Sequence, residues 1–466
     1  MRNLQLRFLL IIILAGLFFT ACRKNKDIIA TTPPPATTGG GTPVSTALSL
    51  KDSVMLATRD LYLWNTQIPA DFNVQNYADP EAMMIGIRPY SMEPGFSAAV
   101  DKWSFAMKKT EWDQLSGGKS SFSTTTGAGS FGLSVFFRAE GDLRVRLAEP
   151  YSPAGIAGIH RGWRITTING NSNITTGNAD FIINAIYKSS STLVTFIKPD
   201  GNSVSINLQA GNYVEKPVYL DTVYNLNGKK IGYFVFNSFL GKVDAISSEF
   251  QRVFSHFASE HVSEIVVDLR YNGGGYVSLA EQLGNYLVNS SANGNIMMKQ
   301  IYNSKHTQDN ETTNFRKSGS LNLNDIYFIV SKSTASASEL LINNLKPYMD
   351  IKLIGASTTH GKPVGFFPSP FGEWYIFPVS FRTINKNGEG NYFNGIPVTA
   401  SIPDGLDKDW GDLTESSLAS AIRNITTGSY RGSGEPVYRE NAAISIGNER
   451  LDAFSLKITI GNKKAL

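Results

Sequence analysis

Short apolar strands alternate with amphipathic helices from residue 229 to residue 357, and this alternation restricts the fold more than any other feature. The strand-like runs are KKIGYFVFNSF, SEIVVDLR, IYFIVSK and IKLIGAS, and the helix-like runs include YVSLAEQLGNYLV and ASELLINNLKPY. SEIVVDLR is almost continuously apolar before its charged end, as a strand buried on both faces requires. The pattern predicts a layered βαβ core in which ligands bind near the strand ends.

The overall composition is that of a globular protein with a large core. Hydrophobic residues make up 42% of the 466 residues and charged residues 18%, which suits two or three folded domains. The formal net charge of +4 is small for this length and gives no reason to expect nucleic-acid binding. Apart from His360, the four histidines form no cluster with metal-ligand spacing, so no metal or cofactor is expected.

The run STASASELL follows the strand IYFIVSK and leads into a helix. Its hydroxyl residues could simply cap that helix, since Ser336 and Glu339 have the spacing of a capping box. The alternative is that a strand, a sharp turn and a helix present Ser336 as a nucleophile. The positive end of the helix and the amide of Ala337 would then stabilise an oxyanion.

Two further segments are expected at the same edge of the sheet as Ser336. In DLRYNGGGY the glycines allow close backbone approach to a substrate, and Gly274 is the predicted second oxyanion donor, although such a loop can also be merely flexible. Lys362 follows the strand IKLIGAS, and burial that lowers a lysine pKa to roughly 7–8 would let it activate a serine. His360 is the alternative base, but no Asp or Glu lies close in sequence to orient its ring.

Residues 129–210 form a β-rich stretch with the runs GLSVFF, LRVRLAE, WRITTING, TLVTFIK and SVSINLQ. Its glycines and hairpin-type turn lie at Gly155, Gly158, Gly162 and Asn169-Gly170. The stretch resembles PDZ domains of bacterial proteases. Phe131, Gly132 and Leu133 stand where such domains place the loop that binds a chain-terminal carboxylate. The alternatives are a generic β domain, or an edge in GSFGLSV that only packs on the core.

The N-terminus carries the pattern of an export signal. Two arginines precede an apolar run from Phe8 to Phe19, which is too short to span a bilayer comfortably. Cys22 is the only cysteine, and its surroundings resemble a bacterial lipobox, so residues 1–22 are predicted to be a lipoprotein signal peptide. Residues 23–46, rich in Pro, Thr and Gly, are predicted to be a disordered tether. A cleaved secretory signal and an uncleaved anchor are the alternatives.

The two remaining parts of the chain are less informative. Apolar residues at helical spacing in VMLATRDLYLW and FSAAVDKWSFAMKKTEWDQL predict a small helical domain over residues 47–122, followed by a Gly- and Ser-rich linker. Residues 426–466 have no recognisable pattern, and the expectation for them is a short β appendage of unknown role.

Three motifs together resemble the C-terminal processing peptidases, also called tail-specific proteases. That family shows DLR-x-N-x-GG, then TASASE, then G-K. The corresponding residues here are Asp268-Leu269-Arg270, Asn272 and Gly274-Gly275; Thr334 to Glu339; and Gly361-Lys362. The resemblance implies a ClpP/crotonase-like layered α/β protease core at residues 211–425, with an inserted PDZ-like β domain and a small helical N-terminal domain.

The same resemblance implies a function. It indicates a serine endopeptidase that uses Ser336 and Lys362, with Ala337 and Gly274 as oxyanion donors, to cut protein or peptide substrates recognised by their C-terminal tails. Lipidation at Cys22 would hold the protein at a membrane of the bacterial cell envelope, facing the periplasm or attached to the outer membrane. A non-catalytic tail-binding or ligand-binding scaffold of the same fold is the alternative.

Two positions depart from the family pattern. The interval from Ser336 to Lys362 is one residue longer than usual, and Phe366 stands where many members carry a Gln that orients the lysine amine. Glu339 is the candidate to replace that orienting group. The identity of the third catalytic member is therefore open at the level of sequence.

Overall fold

A computed structural model of the chain describes residues 48–119, 129–432, 441–452 and 458–461. The predicted signal peptide, its Cys22 and the tether at residues 23–46 lie outside the described residues, as does part of the linker. Within the described ranges no helix combines the length and apolar character needed to cross a bilayer.

The N-terminal segment contains three helices and one strand. These are α1 (Leu50–Leu61), α2 (Pro80–Ile87), β1 (Phe105–Lys108) and α3 (Lys109–Ser116). The helical prediction is wrong at β1, which pairs antiparallel with a core strand so that Phe105 stacks on Phe377 with ring centroids 4.3 Å apart. That partner is distant in sequence, and its pairing overrides the local helical spacing.

The β-rich stretch at residues 129–210, called the β domain below, forms one antiparallel sheet. Its elements are β2 (Leu133–Ala139), β3 (Asp142–Ala148), α4 (Pro153–Ile156), β4 (Arg164–Ile168), α5 (Ala179–Ile183, continued by a π-helical turn, Asn184–Lys188), β5 (Ser191–Ile197) and β6 (Ser203–Gln209). The strand order follows the chain, so β2 and β6 are the edges. Asn169 and Gly170 both have positive φ, as the predicted tight turn requires.

The core contains the remaining strands and helices. They are β7 (Val218–Leu226), β8 (Lys229–Phe236), α6 (Val243–Ser259), β9 (Glu264–Asp268), β10 (Gly274–Tyr276), α7 (Val277–Leu287), β11 (Ile296–Tyr302), β12 (Glu311–Asn314), β13 (Asp325–Ile329), α8 (Ala337–Leu345), β14 (Asp350–Gly355), β15 (Val364–Gly365), β16 (Ser369–Phe371), β17 (Trp374–Phe377), β18 (Phe381–Asn385), β19 (Ala400–Ser401) and α9 (Ser416–Thr427). Short 3-10 turns connect some of these elements.

The central sheet of the core has the strand order β19-β14-β13-β9-β8-β7 and is parallel except for the β7–β8 pair. Apolar residues of α6, α7 and α8 cover one face of the sheet, and α9 covers the other. Strands β9, β13 and β14 are therefore neighbours that point the same way. The loops that follow them, called the carboxyl edge below, meet at one end of the sheet, as the alternation predicted.

Two smaller sheets lie beside the central sheet. One has the order β12-β11-β18-β15 and lies within the core, and the other joins β1 of the N-terminal segment to the β16–β17 hairpin. Val54, Met83 and Trp112 of the N-terminal segment share a buried cluster with Phe366 and Phe377 of the core. The N-terminal segment thus shares its apolar interior with the core.

The C-terminal part differs from the expected β appendage. Its described residues form a helix, α10 (Ala442–Asp452), and a three-residue strand, β20 (Ile458–Ile460). Leu451 of α10 is buried against the β domain, and β20 pairs in parallel with β10. Both contacts are long-range, which is why no local pattern indicated them.

Candidate active site

Ser336 lies at the tip of α8, immediately after the turn that follows β13. Its backbone has φ 64° and ψ −116°, a conformation that non-glycine residues rarely adopt and that often marks functional sites. The side chain is only 1% exposed, and its Oγ has no hydrogen-bond partner among the described residues. The Glu339 half of the predicted capping box is present, since the carboxylate accepts the Ser336 amide, but the Ser336 hydroxyl is left unpaired among the described residues, which costs stability.

Ser338 is bonded differently. Its Oγ donates to the backbone carbonyl of Asn272 at 3.1 Å, and the same carbonyl accepts the amide of Ala335 at 3.0 Å. The Asn272 side chain in turn donates to the Phe236 carbonyl at 3.1 Å. Ser338 therefore joins the serine turn to the glycine-rich loop, whereas the Ser336 hydroxyl bonds to none of the described residues.

Glu339 connects the start of α8 to the loop that follows β14. Its buried carboxylate accepts the amides of Ser336 and Lys362, each at 2.8 Å. It also accepts the Gly361 amide at 2.6 Å and the Thr359 hydroxyl at 2.5 Å. Burial raises the pKa of Glu339, while these donated hydrogen bonds act to lower it. The carboxylate holds the loop through these backbone amides, and the orientation of the lysine amine by Glu339 stays a prediction.

Lys362 has a buried side chain next to two aromatic rings. Its Nζ lies 4.0 Å from the ring centroid of Phe366 and 6.0 Å from that of Trp103. Burial lowers the pKa of Lys362 well below its usual value, while the negative charges of Asp101 and Glu339 act to raise it. A lowered pKa is what a lysine needs in order to accept a proton near neutral pH.

The ring of His360 bonds to groups other than Ser336. Its Nε2 accepts the indole N–H of Trp103 at 3.2 Å, and its Nδ1 lies 3.3 Å from the Lys332 carbonyl, to which it can donate. The partners of the two ring nitrogens are therefore Trp103 and the Lys332 carbonyl. This arrangement does not favour His360 as the base for Ser336.

The two predicted oxyanion donors differ in their present partners. Ala337 is the first residue of α8, and its amide has no acceptor within the helix. The Gly274 amide donates to the side chain of Asn272 at 2.9 Å, so it is already engaged.

A Cβ on Gly275 would lie 2.1 Å from the Phe239 carbonyl carbon, which explains the glycine there. Asn272, through its side chain and its carbonyl, organises this loop; the motif contained it, but sequence reasoning gave it no role.

Comparison with known proteins points to one family. Residues 230–401, which include the whole carboxyl edge, match the model of peptidase family S41. These residues therefore form a region similar to peptidase family S41. Over 247 residues it is 26% identical to the "Probable CtpA-like serine protease" of Staphylococcus saprophyticus, covering 52% of this chain and 47% of the relative. Over 274 residues it is 23% identical to the carboxy-terminal processing protease CtpB of Bacillus subtilis, covering 56% and 53%.

The chain spans about half the length of the curated relatives it matches. Among solved structures, a candidate S41 protease from Bacteroides fragilis has a TM-score of 0.65 and 23% identity, covering 80% of this chain and 97% of that one. That likeness shows a shared fold that extends well beyond the matched family region.

The DLR motif has a structural role. Arg270 is buried and pairs with Asp268 at 2.7 Å and with Glu415 and Asp404 at 2.9 Å each. Asp404 also pairs with Arg161 of the β domain. The motif therefore fixes the end of β9 and attaches the β domain to the core.

The predicted carboxylate-binding loop lies at the start of β2, as expected. Phe131 and Leu133 are buried in the β domain, and Gly132 has φ 68°. A Cβ on Gly132 would lie 2.1 Å from Ser152, and its amide donates to the Ser130 hydroxyl at 3.0 Å. A single cavity is lined by residues of this loop and by Gly273 and Gly274 of the carboxyl edge. The described residues contain no cluster of side chains suited to a metal ion.

Proposed function

We propose that the protein is a serine endopeptidase in which Ser336 is the nucleophile and Lys362 the general base. Neutral Lys362 accepts the hydroxyl proton as Ser336 Oγ attacks the carbonyl carbon of a peptide bond. The same amine then gives that proton to the departing amide nitrogen, leaving an acyl-enzyme that water hydrolyses. The amide of Ala337 stabilises the oxyanion, and Gly274 supplies the second donor once its bond to Asn272 is exchanged.

The observation that carries the proposal is the shared anchoring of Ser336 and Lys362. The backbone amides of both residues bond to the single buried carboxylate of Glu339, so two loops from different strands are held in one arrangement. The Ser336 Oγ is buried and unpaired among the described residues. A binding scaffold has no use for a buried, unpaired hydroxyl whose loop is tied through Glu339 to the loop of a buried lysine, and this favours catalysis over the non-catalytic alternative.

Phe366 takes the place of the orienting Gln found in related peptidases. Its ring face lies 4.0 Å from Lys362 Nζ, and an aromatic face attracts the N–H groups of an amine or ammonium. Phe366 is therefore a positioning residue that holds the amine without adding a titratable or hydrogen-bonding side chain.

Substrates are proposed to be proteins recognised by their C-terminal tails. This part rests on the resemblance of the β domain sequence to PDZ domains, the position of Phe131, Gly132 and Leu133 at the start of β2, and the similarity to a carboxy-terminal processing protease. The predicted lipidation of Cys22 would place the protein at a membrane of the cell envelope. Peptides with free apolar termini should be cut faster than the same peptides with amidated termini.

Casein cleavage by matched serine variants tests the proposal. Ser336→Ala should lose at least about 10³-fold in rate, because no nucleophile remains, and it should unfold at an unchanged or higher temperature. Ser338→Ala, which loses only the bond to the Asn272 carbonyl, should keep most of the activity. Activity that persists in Ser336→Ala would exclude this residue as the nucleophile, and an inactive wild-type protein would favour the binding scaffold.

A further inference from the structure

The C-terminal segment, residues 441–461, contacts both surfaces on which a peptide substrate is expected. Its helix α10 packs against β2 and α5 of the β domain, and its strand β20 pairs with β10 in the carboxyl edge. These two contacts come from consecutive described parts of one short segment. Such a segment can cover both surfaces at once.

On the β domain, the segment bonds to the free edge of β2. The side chain of Asn448 accepts the Phe137 amide at 2.7 Å and donates to the Phe137 carbonyl at 2.9 Å. These are backbone groups that an added peptide strand would use on this edge. Leu451, only 1% exposed, anchors the helix in the apolar interior of the β domain.

At the carboxyl edge, strand β20 of the segment lies between β10 of the glycine-rich loop and Phe366, the residue whose ring lies next to Lys362. In the parallel register Gly274 faces Ile458, and Tyr276 faces Ile460. On its other side, the Gly461 amide donates to the Phe366 carbonyl at 3.1 Å. Ile460 is 4% exposed and belongs to the same apolar cluster as Phe366.

The proposed reacting groups are inaccessible while this segment is in place. Ser336 and Lys362 are each only 1% exposed, although a peptide bond must reach Ser336 Oγ. The loop that contains the proposed oxyanion donor Gly274 already has a strand paired to it. A substrate that lies along β10 would have to take the place of β20.

We infer that the C-terminal segment occupies the substrate-binding surface and competes with substrate in the same molecule. The inference rests on the proposed function and deepens it by naming what this surface accepts. The preferred occupant is an extended peptide that pairs in parallel with β10 and places a branched apolar side chain where Ile460 lies. A tethered competitor acts at an effective concentration of about millimolar, so the segment must leave before substrate enters.

Peptide binding to catalytically silent protein tests this inference. The probe is a fluorescent synthetic peptide of residues 441–466, and its binding is measured by anisotropy to three full-length Ser336→Ala proteins. One has the native segment, one adds Asn448→Ala and Gly461→Pro, and one adds Ile446→Ala as a control at a residue 60% exposed on α10. Proline at 461 removes the amide that bonds Phe366, and a Cβ there would lie 2.2 Å from the Phe367 ring.

The double-substituted protein should bind the probe at least tenfold more tightly than the other two. Equal affinities for all three proteins would overturn the inference. Hydrogen exchange of the Ser336→Ala protein with its native segment gives a check that does not depend on how the variants fold. Amides at 458–461 and 274–276 should be protected, and fast exchange at both would also overturn it.

The inference about the C-terminal segment and the proposed peptidase activity can fail independently of each other. In proteins that retain Ser336, the same two segment substitutions should raise the rate of casein cleavage severalfold. If the probe binds as expected and none of these proteins cleaves casein, the segment still occupies the surface and the peptidase proposal fails. If casein is cleaved at the same rate with and without the substitutions, the segment does not compete.

Discussion

One buried glutamate lies at the carboxyl edge of the core and another at the junction between the β domain and the core, and the two are bonded in different ways. Glu339 at the carboxyl edge accepts three backbone amides and one hydroxyl. Glu149 of the β domain accepts the amide of Lys216 and the hydroxyl of Tyr219, which lies in β7. Burial raises the pKa of both carboxyls, that of Glu149 to about 8.

The two glutamates therefore have different roles: Glu339 positions the residues proposed to react, and Glu149 attaches the β domain to the core. The partners of Glu339 include the amides of the two residues proposed to react, so its carboxylate fixes their spacing through the backbone. The partners of Glu149 lie where the chain passes from the β domain into the core. Substitutions at the carboxyl edge should therefore change rate, and substitutions at the junction should change stability and its dependence on pH.

The largest effect is expected for the base at the carboxyl edge. Lys362→Ala should lower the rate of casein cleavage by about 10²–10⁴-fold, since the Ser336 proton then has no acceptor. His360→Ala should keep most of the activity, because both ring nitrogens of His360 bond to groups other than Ser336. The opposite ranking in initial-rate assays would replace the Ser-Lys pair with a Ser-His pair.

The features of this edge that the sequence predicted are local ones. Strands β9, β13 and β14 were recognisable from short apolar runs, and Ser336 from its turn between a strand and a helix. The turn at Asn169-Gly170 was recognisable for the same reason, since its positive φ values need these residue types. A parallel arrangement then brings the segments after these strands together.

The features that the sequence did not predict depend on partners far along the chain. Strand β1 forms only because β17 lies beside it, and β20 only because β10 does. The contact of Lys362 with the face of Phe366 is likewise set by packing, so the sequence showed only that a Gln was absent. No periodicity or motif contains this information.

A smaller effect is expected for the ring next to the lysine amine. Phe366→Leu removes an aromatic face worth about 0.5–2 kcal/mol to an ammonium group, and the rate should fall about tenfold as the amine loses its orientation. An aromatic face stabilises the charged form, so its loss should lower the pKa of Lys362 further. The rising limb of the pH–rate profile should therefore move to lower pH.

Phe377→Leu is the matched control for this substitution. Phe377 is buried in the same aromatic cluster, with its ring centroid 5.7 Å from that of Phe366, and its substitution should lower thermal stability by a similar amount. The pH–rate profile of this control should stay in place. A displacement of equal size in both variants would mean that general loosening of the cluster, and not contact with the amine, determines the profile.

The smallest effect on rate, and a clear effect on stability, is expected at the junction. Because burial raises the pKa of Glu149 to about 8, the folded protein holds a proton there that the unfolded chain releases near its ordinary pKa. The contribution of Glu149 to stability is complete below that ordinary value and is lost as pH rises through about 8. A pKa difference of one between the folded and unfolded states corresponds to about 1.4 kcal/mol of stability, so the thermal unfolding temperature should fall by several degrees between pH 5 and pH 8.5.

Glu149→Gln, which has no proton to lose, should flatten this fall in thermal stability with pH. Burial also raises the pKa of neighbouring Glu215, to about 7, and this leaves a residual slope in both proteins. Exposed Glu140 of the same domain offers the control Glu140→Gln, which should keep the full slope. If the unfolding temperature of Glu149→Gln falls with pH as steeply as that of the unsubstituted protein, Glu149 is ionised in the folded protein. Glu149 and Glu339 would then differ only in their hydrogen-bond partners.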